Sequence, residues 1–272
     1  MEHNFLNLDL EKLSFAKIKE AFSNLNINLK SETAIQISNK LLEDKRKNVK
    51  SLGEKILKEK KKLEDEIIRV KSMYEFDKER SNGKILAGVD EVGRGPLAGP
   101  IVVASVVLDL NVLDDDLILY LNDSKKLSES KREELSKIIK ERAIAYSIKE
   151  ASNEEIDTRG IAVCNNALFI EATHCLSVKP DIVLSDGYPI RGIDIKNEFV
   201  IKGDAKSATI AAASIIAKVY RDNLMKEYDK EYPEYGFSKN VGYGASKHIE
   251  AIKKFGPTKI HRMSFLSNIL RE

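Results

Sequence analysis

The stretch that decides the fold is Leu86-Ala87-Gly88-Val89-Asp90-Glu91-Val92-Gly93-Arg94-Gly95-Pro96. Its first residues are apolar, as in a short buried strand, and ligand sites gather where such strands end. Adjacent strand residues point to opposite faces, so Asp90 and Glu91 serve one site only if the chain leaves regular strand geometry, which Gly93 permits. The stretch predicts a place for metal ions beside a phosphate. The alternative is an ordinary charged strand end followed by a glycine turn.

Two further acids stand at comparable positions. The segment 181–187 again has a short apolar strand that ends in an acid, Asp186, followed by Gly187. Asp204 comes just before the apolar stretch that starts at Ser207. Taken singly, Asp186 fits an Asp-Gly turn and Asp204 fits a helix N-cap.

Composition limits the class of protein. The chain has 272 residues, 42% of them apolar, which is enough for one main domain with an extension. No apolar run approaches the ~20 residues of a membrane span, and no basic region followed by an apolar run opens the chain, so we expect a soluble, cytoplasmic protein. Cys164 and Cys175 fall in one predicted helix, roughly 16 Å apart, too far for a disulfide.

Charge is distributed unevenly along the chain. Residues 81–200 contain 14 basic and 20 acidic residues, whereas residues 201–272 contain 13 and 8. A nucleic-acid enzyme can use both parts, with acids for metal and bases for phosphates, although a solvated surface explains so mild an imbalance equally well. No CxxC or HExxH pattern is present, which argues against zinc ribbons and zincins.

The turn signal Ser81-Asn82-Gly83 divides the chain into a mainly helical extension, residues 1–82, and a main domain, residues 83–272. The extension is either a substrate- or partner-binding arm or a solvated helical hairpin. Strands alternating with helices in the main domain predict an α/β fold with a mixed sheet. The predicted strands are 84–90, 101–109, 143–150, 181–185 and 198–202, and the predicted helices are 128–142, 160–177, 207–231 and one from about 245.

Six motifs in order over residues 84–265 resemble ribonuclease HII, the type 2 ribonuclease H. They are Gly88-Val89-Asp90-Glu91-Val92-Gly93-Arg94-Gly95-Pro96, Asn122-Asp123-Ser124-Lys125-Lys126-Leu127-Ser128, Val183-Leu184-Ser185-Asp186-Gly187, Lys202-Gly203-Asp204 leading into 212–222, Gly242-Tyr243-Gly244, and His261-Arg262-Met263-Ser264-Phe265. The resemblance implies a ribonuclease H-like mixed β-sheet flanked by helices, with a helical, substrate-binding C-terminal portion.

The resemblance also implies a metal site, formed by four catalytic acids: Asp90, Glu91, Asp186 and Asp204. Clustered carboxylates repel one another unless divalent cations neutralise them, and hard oxygen ligands favour Mg²⁺ or Mn²⁺. Two such ions about 3.5–4 Å apart can activate a water and stabilise the leaving 3′ oxygen. The expected products are a 5′-phosphate and a 3′-hydroxyl.

Substrate recognition is implied in the same way. The 2′-hydroxyl distinguishes RNA from DNA, and the family reads it through the segment that corresponds to Gly93, Arg94 and Gly95. Tyr243 matches a tyrosine that packs on the sugar after the ribonucleotide, although a buried core tyrosine is the alternative. Gly-Arg-Gly, where type 3 enzymes have Gly-Lys-Gly, indicates type 2 and cleavage at single ribonucleotides in DNA.

Further residues are assigned more loosely. Lys125 and Lys126 match a lysine pair near substrate phosphate, with solvated lysines as the alternative. Ser214 and Lys218 share a helix face and are expected to reach substrate or a buried partner, with a salt bridge from Lys218 to Asp222. His174 is expected to be structural, and two histidines of the basic portion are expected to contact substrate backbone without a catalytic role: His248 and His261.

The predicted partners are RNA–DNA hybrids and ribonucleotide-containing duplex DNA, with no membrane. We expect a monomer. The C-terminal residues 264–272 give no clear signal for sliding-clamp contact, which occurs in some relatives. The alternatives are a type 3 enzyme, a catalytically silent hybrid-binding module, and a protein that binds nucleotides with its glycine-rich turn.

Overall fold

A computed structural model describes residues 2–270. The chain divides into two compact units, with the boundary between Arg69 and Val70. The predicted division into residues 1–82 and 83–272 stays a prediction. Across the described residues, no helix is both long enough and apolar enough to cross a membrane.

The first unit is helical, as predicted for the extension. It contains α1 (Glu2–Leu6), α2 (Phe15–Ser23), α3 (Glu32–Glu43) and the first part of α4 (Lys47–Ser81). Its core holds Phe5, Leu10, Ile18, Ala34, Ile37, Leu41, Val49 and Ile56. Gly53 lets α3 and α4 approach closely, because a Cβ there would lie 2.7 Å from the Ser38 carbonyl oxygen.

The second unit is built on a five-stranded mixed sheet, which confirms the predicted fold class. The strands are β1 (Leu86–Val92), β2 (Ile101–Val107), β3 (Ala145–Ala151), β4 (Ile182–Asp186) and β5 (Lys196–Val200). Their order is β3-β2-β1-β4-β5, antiparallel from β3 to β1 and parallel from β1 to β5. All five predicted strands are present, with ends displaced by about two residues.

Within residues 2–270, the end of α4, six further helices and the connecting turns complete this unit. After the end of α4, its helices are α5 (Glu129–Arg142), α6 (Asn153–Arg159), α7 (Ile161–His174), α8 (Ala208–Glu231), α9 (Phe237–Asn240) and α10 (Ser246–Phe255). Helix α6 was not predicted, although Ser152 and Glu155 form a capping box at its start. Cys164 and Cys175 are free thiols, as predicted.

Helix α8 lies directly on β1, and Gly88 makes the approach possible. A Cβ at Gly88 would lie 2.3 Å from the backbone nitrogen of Ile210, a distance that no side chain tolerates. The other face of the sheet packs on α7, where Val89 and Val103 share a core with Phe169. The two faces of β1 are thus covered by different helices, and its C-terminal end stays at the sheet edge where the acids lie.

Candidate active site

Asp90 and Glu91 lie in regular strand geometry, since β1 continues to Val92 and the chain turns only at Gly93, where φ is +88°. The chain therefore leaves regular strand geometry after Asp90 and Glu91, and not at these two residues as predicted. Asp90 is 6% exposed and accepts a hydrogen bond from the Glu91 backbone N–H at 2.8 Å. The two acids still share surroundings, because the charge of Asp186 acts on both of them.

That neighbour is β4, which delivers Asp186 to the same edge. Parallel pairing aligns Val89 with Ser185, so the next residue of each strand is Asp90 and Asp186. Asp186 Oδ1 accepts a hydrogen bond from the Gly203 N–H at 2.7 Å. Gly203 opens the 3₁₀ turn that contains Asp204, so one backbone bond ties the third acid to the segment of the fourth.

The four acids influence one another electrostatically. Burial raises the pKa of Asp90 well above its ordinary value, and the charges of Glu91 and Asp186 raise it further. Burial and the Asp186 charge also raise the pKa values of Glu91 and Asp204. The structure therefore gathers the four predicted acids into one field of like charge, in which added positive charge is stabilising.

The donor set fits divalent cations. Within residues 2–270, no hydrogen-bond partner reaches the buried Glu91 Oε2, which leaves a carboxylate oxygen for a ligand. No three His, Cys, Asp or Glu side chains of these residues form a ready-made cage for one ion. Mg²⁺ usually keeps several waters and takes one or two carboxylates together with substrate phosphate, so an open set of acids is the arrangement expected for it.

A buried arginine, Arg262, holds the backbone of the glycine-rich segment Gly93–Gly95 that follows β1. Its guanidinium donates to the carbonyl oxygens of Gly93 at 2.6 Å, Arg94 at 3.1 Å and Gly99 at 2.9 Å. With these carbonyls bound by one buried guanidinium, the backbone of the segment is held in place.

A second buried arginine, Arg221 of α8, braces the neighbouring loops. It donates to the carbonyl oxygens of Ala98, Pro100 and Val241. A Cβ at Gly93 would lie 2.2 Å from Arg221 Nε, so only glycine fits there. Burial lowers the pKa of Arg221 to about 10 and that of Arg262 to about 9.

Sequence reasoning missed both arginines. Both fall in motifs that were recognised, but the partners of both side chains are backbone carbonyls distant in sequence, which no local pattern reveals. In the part of the chain that the structure describes, neither guanidinium forms an ion pair with a carboxylate.

Arg94 itself points toward the acids and an aromatic ring. Its Nη1 lies 3.9 Å from Glu91 Oε1, and its guanidinium lies 4.9 Å from the ring centroid of Tyr188. The Arg94 charge lowers the pKa of Glu91, against the effect of burial. Tyr188 is exposed and follows the end of β4 by two residues, and it was not predicted to be part of the site. The signal available in the sequence was an aromatic residue two positions after Asp186.

Tyr243 is 44% exposed and lies against the glycine segment, so the core-tyrosine alternative is wrong. A Cβ at Gly95 would stand 3.7 Å from a ring carbon of Tyr243, so the ring lies close to the side of Gly95 where a side chain would be. The structure thus brings Tyr243 and Gly95 together across about 150 residues of chain.

The predicted lysine pair lies in a 3₁₀ turn, Ser124–Lys126, at the edge of the acids. Lys125 and Lys126 are exposed, and their charges partly offset the rise in the pKa of Asp204 that burial and the Asp186 charge cause. The turn is fixed to α8 by the 3.0 Å contact between the hydroxyls of Ser124 and Ser214.

Ser214 and Lys218 behave differently from each other. The Ser214 hydroxyl hydrogen-bonds Asp90, which lowers the pKa of that acid against its burial. Lys218 instead donates to Asp222 at 2.6 Å, the salt bridge that its spacing predicts. Ser214 therefore lies at the acidic site, whereas the Lys218 ammonium is engaged within α8.

The prediction that His248 and His261 contact substrate backbone is wrong. Both are buried, and their Nε2 atoms lie 3.0 Å apart, so neither faces a substrate. They were placed on the surface because the surrounding sequence is basic, whereas α10 buries one side and exposes its lysines on the other. His174, exposed and 2.8 Å from Asp194, makes a surface contact.

Comparison with solved structures places this fold among the ribonucleases H, metal-dependent hydrolases of RNA. Ribonuclease H2 from Pyrococcus horikoshii matches with a TM-score of 0.60 and 29% identity, over 69% of this chain and 97% of that one. Ribonuclease HII of Archaeoglobus fulgidus, solved in complex with PCNA, matches with a TM-score of 0.53 and 27% identity, over the same shares of the chains.

The family can be specified further. The model of ribonuclease HII matches residues 87–268, and that of the ribonuclease HII N-terminal domain matches residues 14–80. The chain belongs to the ribonuclease HII family. Ribonuclease HII of Clostridium beijerinckii is 60% identical over 97% of this chain and 98% of that protein, and that of Clostridium tetani is 54% identical over 99% and 100%. The chain is accordingly an endonuclease for the RNA strand of RNA–DNA hybrids.

Proposed function

We propose that the enzyme, besides cutting RNA in hybrids, incises duplex DNA on the 5′ side of a single embedded ribonucleotide, as in ribonucleotide excision and RNA primer removal. The observation that carries the proposal is the meeting of three elements at one edge of the sheet. These are the buried Asp90, whose pKa is raised by burial and by the charges of Glu91 and Asp186, the braced Gly93–Arg94 backbone, and the exposed Tyr243 ring near Gly95.

Asp90, Glu91, Asp186 and Asp204 are proposed to hold two divalent cations, Mg²⁺ or Mn²⁺. When bound, such ions activate an attacking water and stabilise the leaving 3′ oxygen, which yields 5′-phosphate and 3′-hydroxyl ends. The protein contributes fixed ligands: Gly203 orients Asp186, and Ser214 orients Asp90. A site organised in advance loses little free energy to reorganisation during the reaction.

Substrate contacts are proposed for the residues around the acids. The backbone of Gly93, Arg94 and Gly95 lies where a 2′-hydroxyl can be read at short range, because glycine leaves no side chain in the way. Tyr243 is proposed to pack on the next sugar. Lys125 and Lys126 are proposed to contact phosphate. Ser214 and Lys218 are proposed to bind substrate from the face of α8 that they share, with the Lys218 ammonium held in place by its salt bridge to Asp222.

Other assignments remain predictions: a functional boundary at 82/83, a monomer, and a cytoplasmic location. PCNA accompanies the Archaeoglobus protein. A clamp-binding tail here stays a prediction without a supporting feature in residues 264–270, and Arg271 and Glu272 lie outside the described residues.

The test uses end-labelled duplex DNA with one ribonucleotide, incubated with Mg²⁺, with Mn²⁺ or with chelator, and maps the cut at nucleotide resolution. We expect metal-dependent incision immediately 5′ of the ribonucleotide. Cutting of long hybrids alone would instead indicate type 3 specificity, and tight binding without any cutting would indicate a silent module.

The matched variant is Asp186→Asn, which preserves shape and removes one charge. We expect loss of cleavage with hybrid binding retained. Unchanged cleavage by this variant would exclude the proposed metal site.

A further inference from the structure

The buried pair His248 and His261 lies directly behind the Tyr243 loop. The two imidazoles are at most 1% exposed, with Nε2 atoms 3.0 Å apart. The rings of Tyr235 and Phe237 pack around them, with centroids 5.2–6.2 Å away. Neither imidazole has a role in the proposed chemistry, although a buried polar pair is costly unless it is fully hydrogen-bonded.

Counting protons gives this pair a single neutral arrangement. The backbone N–H of Thr258 lies 2.8 Å from His261 Nδ1 and can only donate, so that nitrogen is an acceptor and His261 carries its proton on Nε2. His261 Nε2–H then donates to His248 Nε2. His248 therefore carries its proton on Nδ1, which lies 2.8 Å from the carbonyl oxygen of Tyr243 and donates to it.

The chain of bonds thus runs from the Thr258 backbone N–H through both rings to the Tyr243 carbonyl, and the Thr258 hydroxyl also lies 2.8 Å from His261 Nδ1. Burial lowers the pKa of both histidines, that of His261 to about 4, so both rings are neutral at ordinary pH. A further proton would place two N–H groups face to face across the 3.0 Å contact, which the geometry disfavours.

The loop that receives this bond is under constraint. Val241 has φ of +44°, which is unusual for a β-branched residue, and its carbonyl is held by Arg221 at 2.8 Å. Gly242 has φ of +86°, and a Cβ there would lie 2.4 Å from the Ala98 carbonyl oxygen. Backbone held in sparsely populated regions persists only where its surroundings fix it, and such segments cluster at functional sites.

We infer that His248 and His261 form a positioning relay that fixes the Tyr243 backbone, so that its ring stays over Gly95 and favours cleavage at single ribonucleotides. His248 is the member in contact with the loop, and His261 sets its tautomer. The inference rests on the substrate role proposed for Tyr243. Both histidines are positioning residues, since neither ring reaches the substrate surface.

The test compares His248→Phe, which removes the donor, with His248→Asn, whose amide nitrogen can occupy the position of Nδ1. The measured quantity is the ratio of kcat/KM on a single-ribonucleotide duplex to kcat/KM on an all-RNA hybrid, with the melting temperature recorded in parallel. We expect His248→Phe to lower the ratio about tenfold, the effect of one neutral hydrogen bond. We expect His248→Asn to keep the ratio near the parent value while melting lower, because it leaves a cavity.

The matched control is Tyr235→Phe. It lies in the same aromatic cluster and removes one hydrogen bond, from the Tyr235 hydroxyl to the Gly256 carbonyl at 2.6 Å, without touching the relay. We expect a ratio equal to that of the parent. A ratio that followed melting temperature across these variants would overturn the relay, because a purely structural role predicts that correlation.

Tyr243→Ala separates this inference from the proposed function. We expect it to lower the ratio, and we expect the double variant with His248→Phe to lose no more than Tyr243→Ala alone, because both changes act through one ring. An additive loss would refute the relay and leave the role of Tyr243 intact. An unchanged ratio in Tyr243→Ala would refute the role of Tyr243 itself, and the relay with it.

Discussion

Replacement of the buried Asp77 by asparagine should change how the stability of the protein depends on pH. Asp77 lies near the end of α4 and is fully buried. Its Oδ2 accepts the backbone N–H of Thr209 at 2.8 Å and the Thr209 hydroxyl at 3.0 Å, at the start of α8. Within the described residues no partner reaches Oδ1, where the amide nitrogen of asparagine can be placed.

The magnitude follows from the pKa of Asp77. Burial raises this pKa from 3.8 to about 6, against the hydrogen bonds from Ser207, Ala208 and Thr209. Because the folded-state pKa is the higher one, the stability linked to this proton is fully present below pH 3.8 and is lost as pH rises through about 6. At about 1.4 kcal/mol per pKa unit, the loss is about 3 kcal/mol.

The assay is urea unfolding in the presence of chelator at several pH values from 4 to 7.5. We expect the free energy of unfolding of the parent to fall relative to that of Asp77→Asn by up to about 3 kcal/mol across this range. The acids of the active site titrate in both proteins, so their contribution cancels in the difference. Asp77→Ala removes the acceptor as well, and we expect it to be less stable than the asparagine variant at every pH by about 1–3 kcal/mol.

Parallel pH profiles for the parent and Asp77→Asn would refute the reasoning. That result would mean that the helix N-terminus holds the carboxylate ionised despite its burial, so that the donors of α8 outweigh desolvation.

Three further outcomes test the site and its support. Without divalent cations, Asp90→Asn should melt higher than the parent, because burial and neighbouring acids penalise its charge, and added Mg²⁺ should raise the melting temperature of the parent more than that of the variant. Arg262→Lys should lower the rate of cleavage at a single ribonucleotide more than the rate of hybrid cleavage, and it should lower the free energy of unfolding by several kcal/mol. The reason is that one ammonium cannot bridge the carbonyls that the guanidinium joins. An equal loss of rate on both substrates would contradict this. Gly88→Ala should unfold the catalytic unit or displace α8, because its Cβ would meet the Ile210 nitrogen at 2.3 Å; a native circular dichroism spectrum with full activity would contradict this.

The sequence predicts the sheet well, because its strands follow from local patterns, whereas the meeting of the four acids was implied by the resemblance to ribonuclease HII. Apolar strands ending in acids were recognisable singly, and parallel pairing of β1 with β4 then brings Asp90 beside Asp186. Strand ends were less accurate: β5 begins at Lys196 rather than 198, since its limits are set by hydrogen bonds to β4 and not by its own apolar residues.

The buried polar residues that hold the loops around the site were not predictable in the same way. Arg221, Arg262, His248 and His261 are polar residues that a pattern assigns to the surface, and their burial depends on acceptors supplied by distant loops. The Arg262 side chain and the Gly93 carbonyl that it binds are 169 positions apart. Only the assembled fold shows that such residues are satisfied inside it.

The bonds from Arg262 to the Gly93–Arg94 backbone have a consequence for synthesis of the protein. A chain grows from its N-terminus, so Gly93 is made 169 residues before Arg262, whose guanidinium binds its carbonyl. Domains generally fold as units during synthesis, and here the Gly93–Gly95 loop acquires its bracing bonds only after Arg262 has been made. A nascent or truncated product that ends before Arg262 would therefore carry all four acids but lack the hydrogen bonds that hold the Gly93–Arg94 backbone.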